Sequence, residues 1–461
     1  MTVSENPALA SNGHVDKTKL QVLVCASPWS GHTMPMINIA EQLVWRGYSV
    51  TFIAGTEFRK DVDGIGARFV ECPDSNYLAI KKLAEAIPTL EEQQAFFRTK
   101  LFIEPTGARR DITYQTLEDL KRENPWHSIV IVTESLWLGH HPLYLGAPLP
   151  KGFTRRPRIV NIHAIPYHVT SRDTAPFIMA IMPDDSEESR EMYRLEHEKA
   201  IKGRWAEEIA LQMRILAELG CTDVQPTPLY DLVSLTADVT LQMCPPSLEY
   251  KRSDFHPRVR FTGALGPRLL KNKKAFVPPA FWDDVVRGDR KVVVVTQGTV
   301  AVDYSQLVIP AIKALAQRSD IVVVAILGVK GASLPADVTA PNAHVADYLS
   351  YDAILPHASV FVMNAGYGGF VHGAMNGVPM VLAGASEEKP EVANRGEYAG
   401  IGINLRTATP TEKQVADAVD TLLRDSRYKK RVMAIKKENE DMRAMDNVER
   451  AILEMATADD I

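Results

Sequence analysis

The sequence predicts an α/β fold in which two domains, each built on a parallel β-sheet, face each other across a cleft. Short apolar runs alternate with amphipathic helical segments, once from residue 20 and again from residue 291. This alternation is typical of parallel sheets covered by helices. Residues 241–266 are punctuated by prolines and interrupt the alternation, which favours two domains over one.

The composition is that of an ordinary globular protein. The chain has 461 residues, of which 46% are hydrophobic and 24% charged, and its formal net charge is −5. This length suits two or three domains. The negative charge gives no support for nucleic-acid or membrane-surface binding, so we expect no nucleic-acid partner.

Cysteine spacing and hydropathy bear on the compartment. The four cysteines are scattered, whereas a disulfide framework or a structural zinc site needs paired spacing. The first eighteen or so residues are polar and show no signal peptide. No apolar stretch reaches the roughly 18 to 20 residues that span a bilayer. We therefore expect a cytoplasmic protein without a transmembrane segment.

The first domain opens with a strand–helix–strand unit. Residues 20–26 (LQVLVCA) have strand length, apolar side chains recur at helical spacing over 36–44, and residues 48–54 are the next strand. Further strands are predicted at 67–71, 128–133 and 157–162, and helical segments over 76–122 and 184–220. The loop after the first strand lies at the carboxyl edge of the sheet, where such proteins bind ligands. His32 lies in that loop.

The second domain repeats the same rhythm. Strands are predicted at 291–295, 321–327, 344–345, 360–363, 378–383 and 401–405, a helical turn at 351–355, and helices at 307–317, 370–375, 411–424 and 427–455.

A glycine-rich corner at 366–369 joins the strand at 360–363 to a helix. Glycine lets a ligand approach the backbone, and the free N–H groups at a helix start carry the positive end of the helix dipole. The corner therefore predicts a seat for a phosphate group, although most such corners bind nothing.

Two stretches resemble family 1 glycosyltransferases, UDP-dependent enzymes with the GT-B fold of two Rossmann-like domains. Residues 348–404, with Gly-Val-Pro at 377–379 and an acidic residue at Glu388, look like the family's nucleotide-sugar signature. Residues 30–35 (SGHTMP) resemble the start of the same family. The detail at 367–369 is most similar to soluble fungal members that glycosylate lipids or phenols.

The resemblance assigns the nucleoside and sugar contacts. Tyr348 stands where the family stacks a tryptophan on uracil, and Leu349 would bond the uracil edge through its backbone. His372 replaces the glutamate that grips the ribose hydroxyls. Glu388 and Lys389 replace the aspartate–glutamine pair that holds the sugar, which leaves the identity of the sugar open.

The resemblance also assigns the diphosphate contacts. Thr299 would donate its hydroxyl to a phosphate. Asn364 replaces the usual histidine, and its amide can donate a hydrogen bond but carries no charge. Phosphate binding would therefore depend more on the backbone at Gly366, Gly368 and Gly369.

Glycosyl transfer needs a base, because the acceptor hydroxyl loses a proton as it attacks the anomeric carbon from the side opposite the departing UDP. A histidine can take that proton near neutral pH, and His32 is the predicted base. Glu134 matches the family's aspartate and would hold the other ring nitrogen of His32. The helix start would stabilise the leaving diphosphate without a metal, and the resemblance implies an inverting reaction with no cofactor.

The acceptor pocket has weaker candidates. Trp137 and Phe177 are predicted to line it, although both could equally be core residues. The resemblance implies a monomer that transfers a sugar from a UDP-sugar, and we expect glucose as the sugar and a lipophilic acceptor such as a phenol, a sterol or a hydroxy fatty acid. Two alternatives stay open: a nucleotide-sugar epimerase of the same fold, and a non-catalytic UDP-sugar-binding protein.

The expected domain boundaries follow from these assignments. They are a disordered tail (1–18), an N-terminal acceptor-binding domain (19–245), a linker (246–285), a C-terminal nucleotide-sugar-binding domain (286–440) and a C-terminal helix (441–461) that could cross back to the first domain.

Overall fold

The structure is a computed structural model that describes residues 16–72, 77–84, 86–177, 179–266, 276–299 and 301–458. Most of the expected tail, residues 1–15, lies outside this part of the chain, as do residues 267–275 of the expected linker. The last residues of the expected tail begin a short 3-10 helix (Lys17–Lys19). The Lys17 ammonium there donates a hydrogen bond of 2.6 Å to the Glu449 carboxylate.

Two parallel sheets form the centres of two domains, as the sequence predicts. The first has the order β3-β2-β1-β4-β5-β6-β7 and the second β10-β9-β8-β11-β12-β13. The strands of the first sheet are β1 (Leu20–Cys25), β2 (Ser49–Ala54), β3 (Arg68–Glu71), β4 (Ser128–Glu134), β5 (Arg158–His163), β6 (Val239–Gln242) and β7 (Val259–Phe261). Those of the second are β8 (Lys291–Thr296), β9 (Ile321–Ile326), β10 (Ala343–Ala346), β11 (Ala358–Met363), β12 (Met380–Leu382) and β13 (Gly402–Asn404).

Helices cover both faces of each sheet. Those that follow the strands of the first sheet are α1 (Ser30–Trp45), α2 (Arg59–Gly64), α3 (Tyr77–Ala84), α4 (Leu90–Phe97), α5 (Thr106–Glu123), α6 (His141–Tyr144), α7 (Glu187–Lys202), α8 (Ala206–Glu218) and α9 (Leu229–Leu235), with a π-helix (Arg98–Ile103) between α4 and α5. The later ones are α10 (Trp282–Val286), α11 (Val308–Leu315), α12 (Tyr351–Ile354), α13 (Tyr367–Met375), α14 (Lys389–Tyr398), α15 (Glu412–Arg424), α16 (Ser426–Met442) and α17 (Ala444–Thr457).

The central strands are buried on both faces, which explains their continuous apolar sequence. In β1, Val22 and Val24 belong to the core beneath α1 and α17, whereas Leu23 and Cys25 belong to the core beneath α5. The carboxyl ends of β1 and β4 therefore lie side by side, since β1 pairs with β4 in parallel. This edge of the first sheet carries the loops that follow both strands.

The first sheet continues past the boundary expected at residue 245. Strand β7 lies within the range 246–285 expected as linker, yet it pairs in parallel with β6. It is a three-residue edge strand whose flanking prolines, Pro257 and Pro267, obscure it in the sequence. Helix α10, in the same range, packs through Trp282 and Val285 on the second domain's core.

The chain passes between the domains a second time near its end. Helix α16 packs in the second domain's core through Val432 and Ile435. Helix α17 packs on the first sheet through Val448 and Ile452. Between them Arg443 has a left-handed backbone, with φ 53°.

Asparagine side chains hold the segment that follows β7, residues 262–266, against this second crossing. The Ala264 N–H donates to the Asn439 amide oxygen at 2.6 Å, and the Asn447 amide donates to the Thr262 carbonyl at 3.2 Å. From the first domain, the Asn38 amide of α1 donates to the Gly266 carbonyl at 2.9 Å. The chain that leaves β7 therefore lies beside the second crossing as far as Gly266.

Candidate active site

His32 and Glu134 meet at the carboxyl edge of the first sheet. His32 Nδ1 lies 3.0 Å from Glu134 Oε2. Glu134 is the last residue of β4, and His32 lies in the first turn of α1, not in the preceding loop as the sequence suggested. The apolar pattern does not reveal this start, because the first turn of the helix includes Ser30 and Gly31, which are not apolar. Pro35 lies inside the helix and does not mark its start.

The Glu134 carboxylate is held by the backbone as well. Its Oε1 accepts a hydrogen bond from the Ser27 N–H at 3.2 Å, and its Oε2 accepts one from the Leu136 N–H at 2.9 Å. Only 5% of its side chain is exposed, against 21% for His32. The carboxylate is therefore fixed in position before any substrate binds, while the imidazole keeps access to solvent.

Burial alone would raise the pKa of Glu134. The positive charge of His32, its hydrogen bond, and the hydrogen bonds from Ser27 and Leu136 outweigh that penalty and lower the pKa to about 2. Glu134 is therefore a carboxylate at neutral pH, and it requires a proton on Nδ1 of His32 to complete their hydrogen bond.

Aromatic rings border the imidazole. The Trp29 ring meets His32 edge-on at 5.7 Å between centroids, and the Phe102 ring lies at 5.8 Å. Trp29 immediately precedes α1, and Phe102 belongs to the π-helix. Sequence analysis did not single out either residue, since Phe102 lies about 70 positions from His32 along the chain.

The glycine corner of the second domain has the geometry of an anion seat. Strand β11 ends at Met363, and the backbone then turns through Ala365, which has a left-handed φ of 60°. Gly366 is the N-cap of α13, and Gly368 lies exposed in its first turn. A Cβ on Gly368 would meet no atom within 4 Å, so the space before these N–H groups is open to a ligand.

The Asn364 side chain braces this seat. Its amide nitrogen donates to the Gln297 carbonyl at 2.6 Å. The bond links the end of β11 to the loop after β8, which carries Thr299. One of the amide hydrogens expected to serve the diphosphate is therefore engaged within the protein.

A cavity of about 430 Å³ lies between the two domains. From the second domain it is lined by five of the predicted donor residues: Thr299, Tyr348, Leu349, Gly368 and His372. The first domain contributes residues that the sequence analysis did not select, including Met34, Pro35, Asn38 and Met243. Met34 and Pro35 lie on the same helix as His32, so their positions could have been inferred from that helix.

Two predicted nucleoside contacts, the side chains of Tyr348 and His372, are each about half exposed. Tyr348 is 55% exposed, and its ring lies 5.7 Å from the Lys330 ammonium. His372 pairs with Asp352 at 3.5 Å, and about half of its side chain is exposed. Both side chains can therefore reorient toward a ligand at small cost.

The predicted sugar contacts lie at the start of α14, beyond the lining of this cavity. Glu388 is the N-cap of that helix and is half-buried. The Lys389 ammonium pairs with the Glu387 carboxylate and lies 3.3 Å from the Ser386 hydroxyl. Glu387 itself has a left-handed φ of 55°.

The structure corrects one acceptor candidate. Trp137 is fully buried beneath the first sheet, and its indole N–H donates to the Thr113 hydroxyl at 3.2 Å. Trp137 is therefore a core residue and does not line an acceptor pocket. Phe177 packs against His168 and Tyr230, with ring centroids 5.0 and 5.4 Å away. Neither Trp137 nor Phe177 lines the cavity described above.

A buried ion-pair network joins the domains, and the sequence analysis missed it. Arg395 of α14 donates to Glu249 Oε1 at 2.6 Å and to Glu391 Oε2 at 3.0 Å. It also donates to the Tyr167 carbonyl at 2.8 Å. Glu249 and Tyr167 precede β7 along the chain and belong to the first domain, so α14 is tied across the cleft.

In the described part of the chain, no group of three or more histidine, cysteine, aspartate or glutamate side chains is arranged to hold a metal ion. None of the helices described there is long and apolar enough to cross a membrane.

Comparisons with known proteins agree with this architecture. Residues 224–455 match the family model described as UDP-glucoronosyl and UDP-glucosyl transferase. The chain is 54% identical over 467 aligned positions to UDP-glucosyltransferase 1 of Beauveria bassiana, with 100% of both chains covered. It is 35% identical to UDP-glucosyltransferase B1 of Starmerella bombicola, covering 95% of this chain and 98% of that one.

Solved structures share the fold at low identity. The kitacinnamycin glycotransferase superposes with a TM-score of 0.69 and 21% identity, over 95% of this chain and 98% of that chain. A spinosyn rhamnosyltransferase in complex with thymidine diphosphate gives a TM-score of 0.60 at 16% identity, over 94% of this chain and 100% of that chain.

The family match covers half of the chain, and the two fungal relatives cover nearly all of it. The protein is an enzyme that transfers a sugar from a UDP-sugar donor. It belongs to the UDP-dependent family 1 glycosyltransferases of the GT-B fold.

Proposed function

We propose that the protein transfers glucose from UDP-glucose to the hydroxyl of a lipophilic acceptor, with inversion at the anomeric carbon and with His32 as the general base. The observation that carries the proposal is the 3.0 Å contact between His32 Nδ1 and the fixed Glu134 carboxylate.

That contact sets the chemistry of the imidazole. Because ionised Glu134 accepts from Nδ1–H, the lone pair of neutral His32 is on Nε2. Nε2 can then take the proton of an acceptor hydroxyl as that oxygen attacks. The imidazolium that forms is stabilised by the adjacent carboxylate, which does not need to take the proton itself.

The second domain stabilises the leaving group. Negative charge builds on the UDP diphosphate as the glycosidic bond breaks. In this proposal the free N–H groups at the start of α13, next to Gly366 and Gly368, and the Thr299 hydroxyl donate hydrogen bonds to that charge; the helix start and the position of Thr299 in the cavity lining support this role. On this basis the reaction proceeds without a metal, with Tyr348 stacked on the uracil ring.

Apolar surroundings support a lipophilic acceptor. Phe102 and Trp29 border His32, and Leu136 and Ile103 belong to a hydrophobic cluster that Phe102 packs against. Glucose as the donor sugar is supported by the fungal relatives, both of which are named UDP-glucosyltransferases. None of the four cysteines, all of which lie in the described part of the chain, is joined in a disulfide, which supports a reducing compartment such as the cytoplasm.

The test is incubation of the purified protein with UDP-glucose and a panel of phenols, sterols and hydroxy fatty acids, with products read by mass spectrometry. Expected is a product heavier by one hexose, whose anomeric coupling in proton NMR reports a β-linkage. Conversion of UDP-glucose without any acceptor would favour an epimerase. UDP binding with no product from any acceptor class would favour a non-catalytic binder.

A further inference from the structure

Arg109 of α5 is buried against the turn that follows Glu134, with a relative exposure of 1%. Its guanidinium donates to the Leu136 carbonyl at 3.1 Å and to the Leu101 carbonyl at 2.8 Å. A longer contact of 3.4 Å reaches the Trp137 carbonyl. One side chain therefore joins α5, the π-helix and the turn that follows β4.

The same guanidinium lies between two indole rings. It is 5.5 Å from the centroid of Trp29 and 5.4 Å from that of Trp137. A desolvated cation over a tryptophan face is attracted to it. These contacts add a fourth segment, the loop before α1, to the three that the hydrogen bonds connect.

Each connected segment holds part of the base site. The Leu136 N–H donates to Glu134, and the Leu136 carbonyl accepts from Arg109 and, at 3.1 Å, from the Ser27 hydroxyl. Leu101 precedes Phe102 on the π-helix. Trp29 and Phe102 are the rings that border His32.

The backbone around Arg109 is closely packed. A Cβ on Gly139 would lie 2.7 Å from the Arg109 carbonyl carbon, which no real side chain tolerates. The turn after β4 therefore needs a glycine to approach α5 closely enough for the Arg109 side chain to bridge it.

We propose that Arg109 is a positioning residue for the base: it fixes the turn after β4 and the loop before α1 relative to each other, and thereby holds Glu134 against His32. The inference rests on the proposed role of His32 in proton transfer. A displacement of about 1 Å in a reacting group can cost about 100-fold in rate, so the expected loss on removing the bridge is about 10- to 100-fold in kcat.

The first test compares Arg109→Met with the wild type in steady-state transfer. Expected is the loss of kcat with little change in the affinity for UDP, because the donor seat lies in the other domain. The matched control is Arg252→Met. Arg252 also donates to two backbone carbonyls, those of Tyr167 and Val169, and lies over an aromatic ring, yet it contacts neither Glu134 nor His32. A kcat within about threefold of the wild type in Arg109→Met, or an equal loss in Arg252→Met, would overturn the proposal.

The second test places Arg109→Met in a His32→Ala background. If Arg109 acts through the base, its removal there should change the residual rate by less than about threefold. The same fold-loss in both backgrounds would indicate general loosening of the domain and would overturn the proposal. A His32→Ala enzyme that works at the wild-type rate would instead refute the base assignment itself, so the two failures are distinguishable.

Arg109→Lys keeps the test decisive if the methionine variant does not fold. Lysine retains the charge, but its compact ammonium cannot reproduce the planar fork that spans Leu101 and Leu136. Expected is a folded enzyme with a kcat about tenfold below the wild type and unchanged UDP affinity. Full activity in this variant would overturn the proposal.

Discussion

The carboxyl ends of β4 and β11 occupy equivalent places in the two sheets, each beside the first strand of its domain, and the chain uses them in opposite ways. At the end of β4 the proposed site is made of side chains: Glu134 is buried and bonded to His32 and to two backbone N–H groups. At the end of β11 the proposed binding group is the backbone, and Gly368 leaves the space before its N–H groups open.

The difference shows how each region fails. A site made of side chains loses its function when atoms are removed. A site made of backbone N–H groups loses it when atoms are added, because the groups themselves cannot be mutated. The substitutions below follow that contrast, from the largest expected effect to the smallest.

Removing the imidazole should have the largest effect. His32→Ala takes away the base, and general base catalysis typically contributes about 10²- to 10⁴-fold in rate. We expect transfer to fall by that factor, whereas UDP affinity, measured by calorimetry, stays within about twofold of the wild type. Transfer near the wild-type rate in a correctly folded variant would show that another group takes the proton.

The second-largest effect is expected from adding a side chain at the glycine corner. Gly368→Val puts a side chain into the open space before α13, and we expect UDP to bind at least about tenfold more weakly, a loss of about 1.4 kcal/mol. The free protein should unfold at nearly the same temperature, since a Cβ there meets nothing within 4 Å. Calorimetry and thermal unfolding measure the two quantities.

The matched control for that substitution is Gly107→Val. Gly107 occupies the same second position of its helix, α5, and a Cβ there would make only an ordinary 3.8 Å contact with Leu219. UDP affinity should be unaffected. Equal weakening by both substitutions, or none from Gly368→Val, would remove the corner from the donor site.

A moderate effect is expected from the charge of Glu134. Its folded-state pKa of about 2 lies below the ordinary value of 4.5. The carboxylate therefore contributes stability above pH 4.5, and this contribution is lost as the pH falls toward 2. Its size is about 3 kcal/mol. Urea unfolding across this pH range should show a steeper loss of stability in the wild type than in Glu134→Gln. Parallel pH curves for the two proteins would contradict the stabilised carboxylate.

The smallest effect is expected at His372. Its ring is about half exposed and pairs with Asp352, so His372→Ala should leave stability unchanged. If the ring bonds a ribose hydroxyl, UDP affinity should fall by about threefold. His357→Ala, an exposed histidine on the same domain, is the control. An unchanged affinity would exclude His372 from the ribose site.

The contrast also separates what the sequence could predict from what it could not. The strand–helix rhythm is local, so the sheets and the position of Glu134 at a strand end were predictable. Glycine corners are local too. The burial of Trp137 was not predictable, because an apolar aromatic beside a site looks the same whether it faces a pocket or a core.

Long-range pairings escaped prediction for a related reason. Arg395 forms an ion pair with Glu249, 146 positions earlier in the chain. Nothing in the sequence around either residue predicts this pairing. The same holds for Arg109, whose acceptors are backbone carbonyls that leave no signature in the side-chain pattern. Strand β7 was hidden by its length of three residues.

Residues 262–266, which follow β7, lie beside the crossing between the domains at Arg443, and this pair of chain segments limits how the cleft can move. Two neighbouring chain segments that join the domains permit rotation of one domain about the line between the segments. They resist sliding of one domain past the other. His32 belongs to the first domain and the glycine corner to the second. We expect each closure to follow the same arc, so that base and diphosphate seat return to one relative position in every catalytic cycle.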